Sequence, residues 1–84
     1  MSYEIRIKPS AVKELRALPD EVRARVVDRI RALAEDPRPR GCEKLTGGPR
    51  YRVRQGAYRV VYQVDDTARE VLVVKIGHRR DVYR

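Results

Sequence analysis

The 84-residue sequence predicts an α+β fold: a two-helix N-terminal hairpin packed on a four-stranded antiparallel sheet, in the order β-α-α-β-β-β. Three observations carry this reading. Tyr3 to Lys8 alternates apolar and charged side chains. Apolar residues then recur at helical spacing on either side of Pro19. After a stretch rich in proline and glycine, three runs with strand character follow, separated by turn residues. A chain this short supports one core, so residues 1–84 read as a single domain.

The opening strand puts Tyr3, Ile5 and Ile7 on one face and Glu4, Arg6 and Lys8 on the other. Pro9 and Ser10 mark a helix start, with Ala11, Leu15 and Leu18 at i, i+4 and i+7. Pro19 ends that helix and suits the first turn of the next, where Asp20 and Glu21 meet the positive end of the helix dipole. The second helix carries an apolar stripe of Val22, Val26, Val27, Ile30, Leu33 and Ala34, and Pro37 and Pro39 stop it. The two helices are expected to run about ten and sixteen residues. Residues 37 to 50 read as a loop. Tyr51 to Gln55 and Tyr58 to Val64 alternate around a tight turn at Gly56, and Asp65 to Ala68 forms the next turn. Glu70 to Ile76 is nearly all apolar, as expected of a central strand covered on both faces.

Composition narrows the function. Twenty Lys plus Arg face 12 Asp plus Glu, for a formal charge of +8 and a pI near 10.3. Arginine dominates the basic residues, and its planar guanidinium fork suits phosphate, so a polyanionic partner is expected. Folding a chain of this size hides only roughly 60% of its extended surface, which leaves room for stabilisation by a partner. There is no apolar run of about 18 residues to cross a membrane, the opening residues Met1 to Arg6 lack the apolar stretch expected of a secretory signal, and Cys42 is the only cysteine. These features point to the cytoplasm. With His78 as the only histidine, no metal site and no cofactor are expected.

The charge is unevenly spread. From Lys44 to Arg59 there are five basic residues, Lys44, Arg50, Arg52, Arg54 and Arg59, and no acid. Period two places Arg52 and Arg54 on the same face of a strand, about 7 Å apart. Arg59, just past the hairpin turn, meets them if the register allows. The residues alone leave two readings open: an exposed sheet edge guarded by charge, or a phosphate-binding surface. The last ten residues collect His78, Arg79, Arg80 and Tyr83 into what reads as one loop. Histidine is the side chain that ordinarily exchanges protons at physiological pH.

The chain resembles the RelE/ParE superfamily of type II toxins, and its RelE branch closely, over nearly its whole length. The resemblance rests on the opening strand, the Pro-Ser-Ala helix start, "LPDEVRARV", "KLTGGPRYRVRQGAYRVVYQV" and "VLVVKIGHRRDVY". It implies a RelE-like fold with the N-terminal strand at a sheet edge. It also implies a toxin that cuts messenger RNA in the A site of the 70S ribosome. The implied partners are a cognate acidic antitoxin and, through the toxin–antitoxin complex, operator DNA. The family's basic pair falls on Arg52 and Arg54, where RelE has lysines, and its later arginines fall on Arg59 and Arg79. Its late tyrosine falls on Tyr83, after a shorter final loop. The C-terminal helix of RelE has no counterpart before Arg84.

Such a nuclease needs no metal: the ribose 2′-hydroxyl attacks the adjacent phosphorus and the 5′-oxygen leaves. A proton must be removed, a phosphorane stabilised and the leaving group protonated. Arg59 and Arg79 suit the charge, Tyr83 base stacking or proton transfer, and His78 proton transfer. Arg52 and Arg54 suit phosphate binding and, as permanently charged groups, are poor bases. Lys44, Arg50 and Arg80 extend the phosphate-binding surface. The alternative on the same fold is a ParE-like inhibitor of DNA gyrase that binds without catalysis.

Overall fold

The computed structural model describes residues 2–82. The chain runs β1 (Glu4–Ile7), α1 (Pro9–Arg16), α2 (Asp20–Ala32), β2 (Glu43–Lys44), β3 (Arg50–Gln55), β4 (Tyr58–Asp65), β5 (Glu70–His78) and α3 (Arg79–Val82). Five strands form one sheet in the order β1-β5-β4-β3-β2.

The α+β fold and the helical hairpin match the expectation, with Pro9 opening α1 and Asp20 and Glu21 in the first turn of α2. The helices are shorter than expected, 8 and 13 residues. After Ala32 the backbone tightens into turns, with Ala34 N–H donating to Arg31 O, three residues back.

The sheet differs from the expectation in two ways. It has five strands, and it is mixed: β1 lies parallel to β5, pairing Ile5 with Val71 and Ile7 with Val73. The chain leaves β1 through both helices and reaches β5 last, a long connection that permits parallel pairing. The fifth strand, β2, lies within the stretch read as loop. It pairs Glu43 with Arg52 and Lys44 with Tyr51, and Leu45 N–H donates to Arg50 O across the turn that follows.

Strand β5 is central in the sheet but covered by helices on one face only. Its apolar run is explained by a bulge: Tyr62 pairs with Val73 and Val61 with Lys75, so Val74 has no opposite residue in β4. Below the helices lie Ala11, Val26, Ile30 and Leu33, packed on Val53, Val60, Tyr62, Val71, Val73 and Ile76. Of the expected α2 stripe, Val26, Ile30 and Leu33 are buried, whereas Val22, Val27 and Ala34 are half-buried.

Beyond Ile7, β5 has no strand beside it on the β1 side. Glu14 of α1 fills this edge, accepting from Ile76 N–H at 2.9 Å and Lys75 Nζ at 3.1 Å. A carboxylate thus satisfies an edge donor that would otherwise be available to another chain.

Candidate nucleic-acid interface

The β3–β4 hairpin builds the site. Gly56 takes φ +60, the left-handed conformation that a two-residue turn with glycine first requires. That turn sets the register: Val53 pairs with Val60, and Arg54 lies directly opposite Arg59. Because Val53 and Val60 point into the core, alternation sends Arg52, Arg54 and Arg59 to the face away from the helices. The meeting of Arg59 with the β3 arginines that the sequence left conditional is therefore present.

The three guanidinium groups occupy different environments. The Arg54 side chain is 61% exposed. Arg52 is buried, at 7% exposure, and its Nη2 donates to Glu43 Oε2 at 2.8 Å. The other oxygen of Glu43 lies 3.6 Å from Arg54 Nη2. The expectation that no acid lies near these arginines is therefore corrected, because β2 brings Glu43 opposite Arg52. Arg59 is buried at 5%. It faces Gly77 in β5, which has no side chain to crowd it. Its Nη1 donates to the carbonyls of Gly56 (3.3 Å) and Tyr58 (3.1 Å). Its Nε is buried without a hydrogen-bond partner, and no carboxylate pairs with it among the described residues. A buried cation held only by carbonyl dipoles is electrostatically incomplete.

The remaining candidates divide. Arg79 opens α3, and its backbone N–H donates to Ala57 O at 2.9 Å, so it is fastened to the same turn as Arg59. Arg80 is exposed on the same short helix, and Arg50 is exposed on β3 with the parity of Arg52 and Arg54. Lys44 pairs with Tyr51, whose ring stacks on core Tyr62, and so belongs to the helix side of the sheet. His78 also departs from the expectation. It ends β5 rather than lying in a loop, and it pairs with Tyr58, their rings edge-to-face at 5.6 Å. The Val74 bulge gives His78 the parity of Ile76, on the helix side and away from Arg54 and Arg59. Its Nδ1 accepts from Arg80 N–H at 3.3 Å. Tyr83 lies outside the described residues.

The opposite end of the sheet holds a second polar cluster. Arg38 clasps Asp66 through both Nη atoms, at 3.1 and 2.8 Å, and its Nε donates to Tyr51 OH at 3.0 Å. Tyr3 OH donates to Asp66 at 2.7 Å. Arg38 and Tyr3 together hold the Asp66 carboxyl below its ordinary range. Nearby, the buried Tyr62 hydroxyl donates to Pro37 O at 2.6 Å, and burial raises its pKa well above that of a free phenol. Within this cluster all three nitrogens of the Arg38 fork meet an acceptor, whereas Arg59 Nε has none.

The pattern of the ParE toxin of type II toxin–antitoxin systems, parDE, matches residues 5–83. The chain belongs to this toxin family. Within the RelE/ParE superfamily, the chain is similar to toxin RelG of Mycobacterium tuberculosis. The two are 32% identical over 88 residues, covering 100% of this chain and 99% of RelG. It is 34% identical over 82 residues to the mRNA interferase toxin RelE of Escherichia coli, covering 94% of this chain and 85% of that toxin. It also superposes on a chain of the archaeal RelE–RelB complex from Pyrococcus horikoshii, with a TM-score of 0.84 and 32% identity. That match covers 94% of this chain and 97% of the other. The RelE-like fold expected from the sequence is the fold of this toxin.

One participant escaped sequence reading. Glu43 stands nine residues before Arg52, across a Thr-Gly-Gly-Pro turn. That turn was the available signal that the chain reverses and lays Glu43 against β3.

Proposed function

We propose that this toxin is a ribosome-dependent endoribonuclease that cleaves messenger RNA in the A site. The observation that carries this reading is the ladder pair Arg54–Arg59, which puts an exposed and a buried, anion-lacking guanidinium side by side on the open face. The mRNA interferase name of the E. coli relative supports it.

In this reading, Arg54 and Arg50 hold the RNA backbone. Arg59 and Arg79, fastened to one hairpin turn, stabilise the extra negative charge as the 2′-hydroxyl attacks phosphorus and the 5′-oxygen leaves. A guanidinium held in place by backbone carbonyls has little reorganisation left to undergo at the moment of reaction. Tyr83 supplies stacking or a proton. His78, on the other face, takes no part. The ribosome orients the message, and no metal is assigned a step. A cognate acidic antitoxin folds over the basic surface and inhibits it, and the pair binds operator DNA; the RelE–RelB complex supports such a partner.

Primer extension on a reporter message in a translation extract tests this. The purified toxin should give cuts within codons at the A site, with 2′,3′-cyclic phosphate ends, and Arg59→Ala should remove them. The ParE description of the matched family favours a second reading, inhibition of DNA gyrase by binding. Uncut message together with blocked supercoiling by purified gyrase would establish that reading instead.

A further inference from the structure

Glu43 reaches the arginine cluster from an exposed two-residue strand. Its two oxygens point at two different guanidinium groups: Arg52 Nη2 at 2.8 Å and Arg54 Nη2 at 3.6 Å. A phosphodiester would present its two non-bridging oxygens to the same pair. The two contacts are unequal in kind. The Arg52 side chain is 9% exposed and lies in a hydrogen-bonded ion pair, whereas Arg54 is 61% exposed and beyond hydrogen-bond reach of the carboxylate.

We propose that Glu43 is an internal counter-ion that occupies the phosphate position of this site, and that incoming RNA displaces it from Arg54 while it remains paired to Arg52. The proposal rests on the nuclease reading above and specifies how its backbone-binding Arg54 is tuned. Glu43 is a positioning residue: it acts through the two arginines and does not touch the reacting atoms. Its pairing with Arg52 keeps that buried cation compensated and fixed. Its single charge lowers by one the charge that the Arg52–Arg54 pair together offers to a phosphate, and its second oxygen brings part of that effect to Arg54. Affinity for free RNA is thereby held down, and productive binding depends on a message that the ribosome already orients. The site discriminates by resisting weak encounters, as interfaces do when they place a like charge against the wrong partner.

The test uses the full chain and a short single-stranded RNA, with binding followed by fluorescence anisotropy across a salt series. Wild type, Glu43→Gln and Arg54→Ala are compared. Glutamine keeps the shape and an oxygen for Arg52 but removes the charge. Glu43→Gln should bind RNA roughly three- to tenfold tighter, with a log K against log salt slope steeper by about 0.7. A brace without electrostatic function would not steepen that slope. If Glu43→Gln binds no tighter than wild type with an unchanged slope, while Arg54→Ala still weakens binding, the inference fails and the nuclease reading stands. If wild type and Arg54→Ala bind alike, the RNA-binding reading itself fails and the inference falls with it. Should the glutamine variant not fold, Glu43→Ala answers the same question. Failure of both to fold, by melting and circular dichroism, would make Glu43 a structural brace and overturn the proposal.

Discussion

Arg38 and Arg59 serve opposite ends of the sheet, and the protein satisfies them differently. Arg38 has a bidentate carboxylate, a tyrosine hydroxyl and the Tyr51 ring 5.2 Å beneath its guanidinium. Arg59 has two backbone carbonyls and an unpartnered Nε, although it is the more buried of the two. An arginine used for folding is surrounded by acceptors; an arginine kept short of them retains attraction for an anion that arrives later. The Arg38 end ties β1, the segment after α2 and the β4–β5 turn together. The Arg59 end leaves its charge uncompensated.

The sharpest break of this comparison is Arg59→Ala. Losing one preorganised charge-stabilising donor typically slows catalysis by about 10²–10³, or roughly 3–4 kcal/mol. Single-turnover cleavage on saturated ribosomes should fall by that order, with ribosome binding far less affected. Thermal stability should change little, because lost packing of the side-chain stem is offset by relief of a poorly compensated buried charge. Arg38→Ala should do the reverse, lowering Tm while leaving the cleavage rate intact. If the two variants lose stability alike and keep full activity, the division between folding and functional arginines is wrong.

Within the site, Arg52 and Arg54 offer a second division. Sequence spacing treats them as equal and exposed, but only Arg54 is exposed. Arg52→Ala opens buried space and strands half-exposed Glu43, so it should cost about 2 kcal/mol in a urea titration. Arg54→Ala should leave the urea midpoint nearly unchanged and flatten the salt dependence of RNA binding by about 0.7 of a unit. Equal effects of the two substitutions on stability would erase the distinction.

The helical hairpin and the strands β3 to β5 were legible because periodicity and turn residues are local signals: Pro9, Pro19, Asp20 and Gly56 each act within a few residues of themselves. The parallel pairing of β1 with β5 was not legible, because a partner more than sixty residues away leaves no trace in the spacing of Ile5 and Ile7. Strand β2 is two residues long, too short for any period to show. The face that His78 takes turns on one residue. Counting by twos from Val71 and Val73 would send His78 to the open face, and the bulge at Val74 reverses the count. The arginine cluster itself was readable from period two, whereas the acid that tempers it was not.

A third test bears on the folding end. Tyr62 is fully buried, and its hydroxyl donates to Pro37 O, fixing the segment that follows α2 onto β4. Tyr62→Phe keeps the ring and deprives that carbonyl of its donor, at a cost of about 1 kcal/mol. The loss should register in chemical denaturation, and RNA cleavage should be unaffected. Reduced cleavage at temperatures where the variant stays folded would show that the two ends of the sheet communicate.

The smallest effect is a pH dependence confined to the same end. Arg38 and Tyr3 both hydrogen-bond the Asp66 carboxylate and hold its folded-state pKa below the ordinary value. A group depressed in this way stabilises the fold above its unfolded pKa, and that contribution fades as pH falls through the folded one. The window therefore begins near the ordinary carboxylate range, about pH 4, and extends downward. Because Asp66 is exposed, screening keeps the contribution modest. Melting temperature measured from pH 7 to 2 should separate wild type from Asp66→Asn at the neutral end, with the two curves converging at the acid end. Added salt should narrow the neutral gap. Curves that stay parallel throughout would mean that Asp66 stabilises this end through shape and neutral hydrogen bonds, and that the Arg38 cluster is not held by charge.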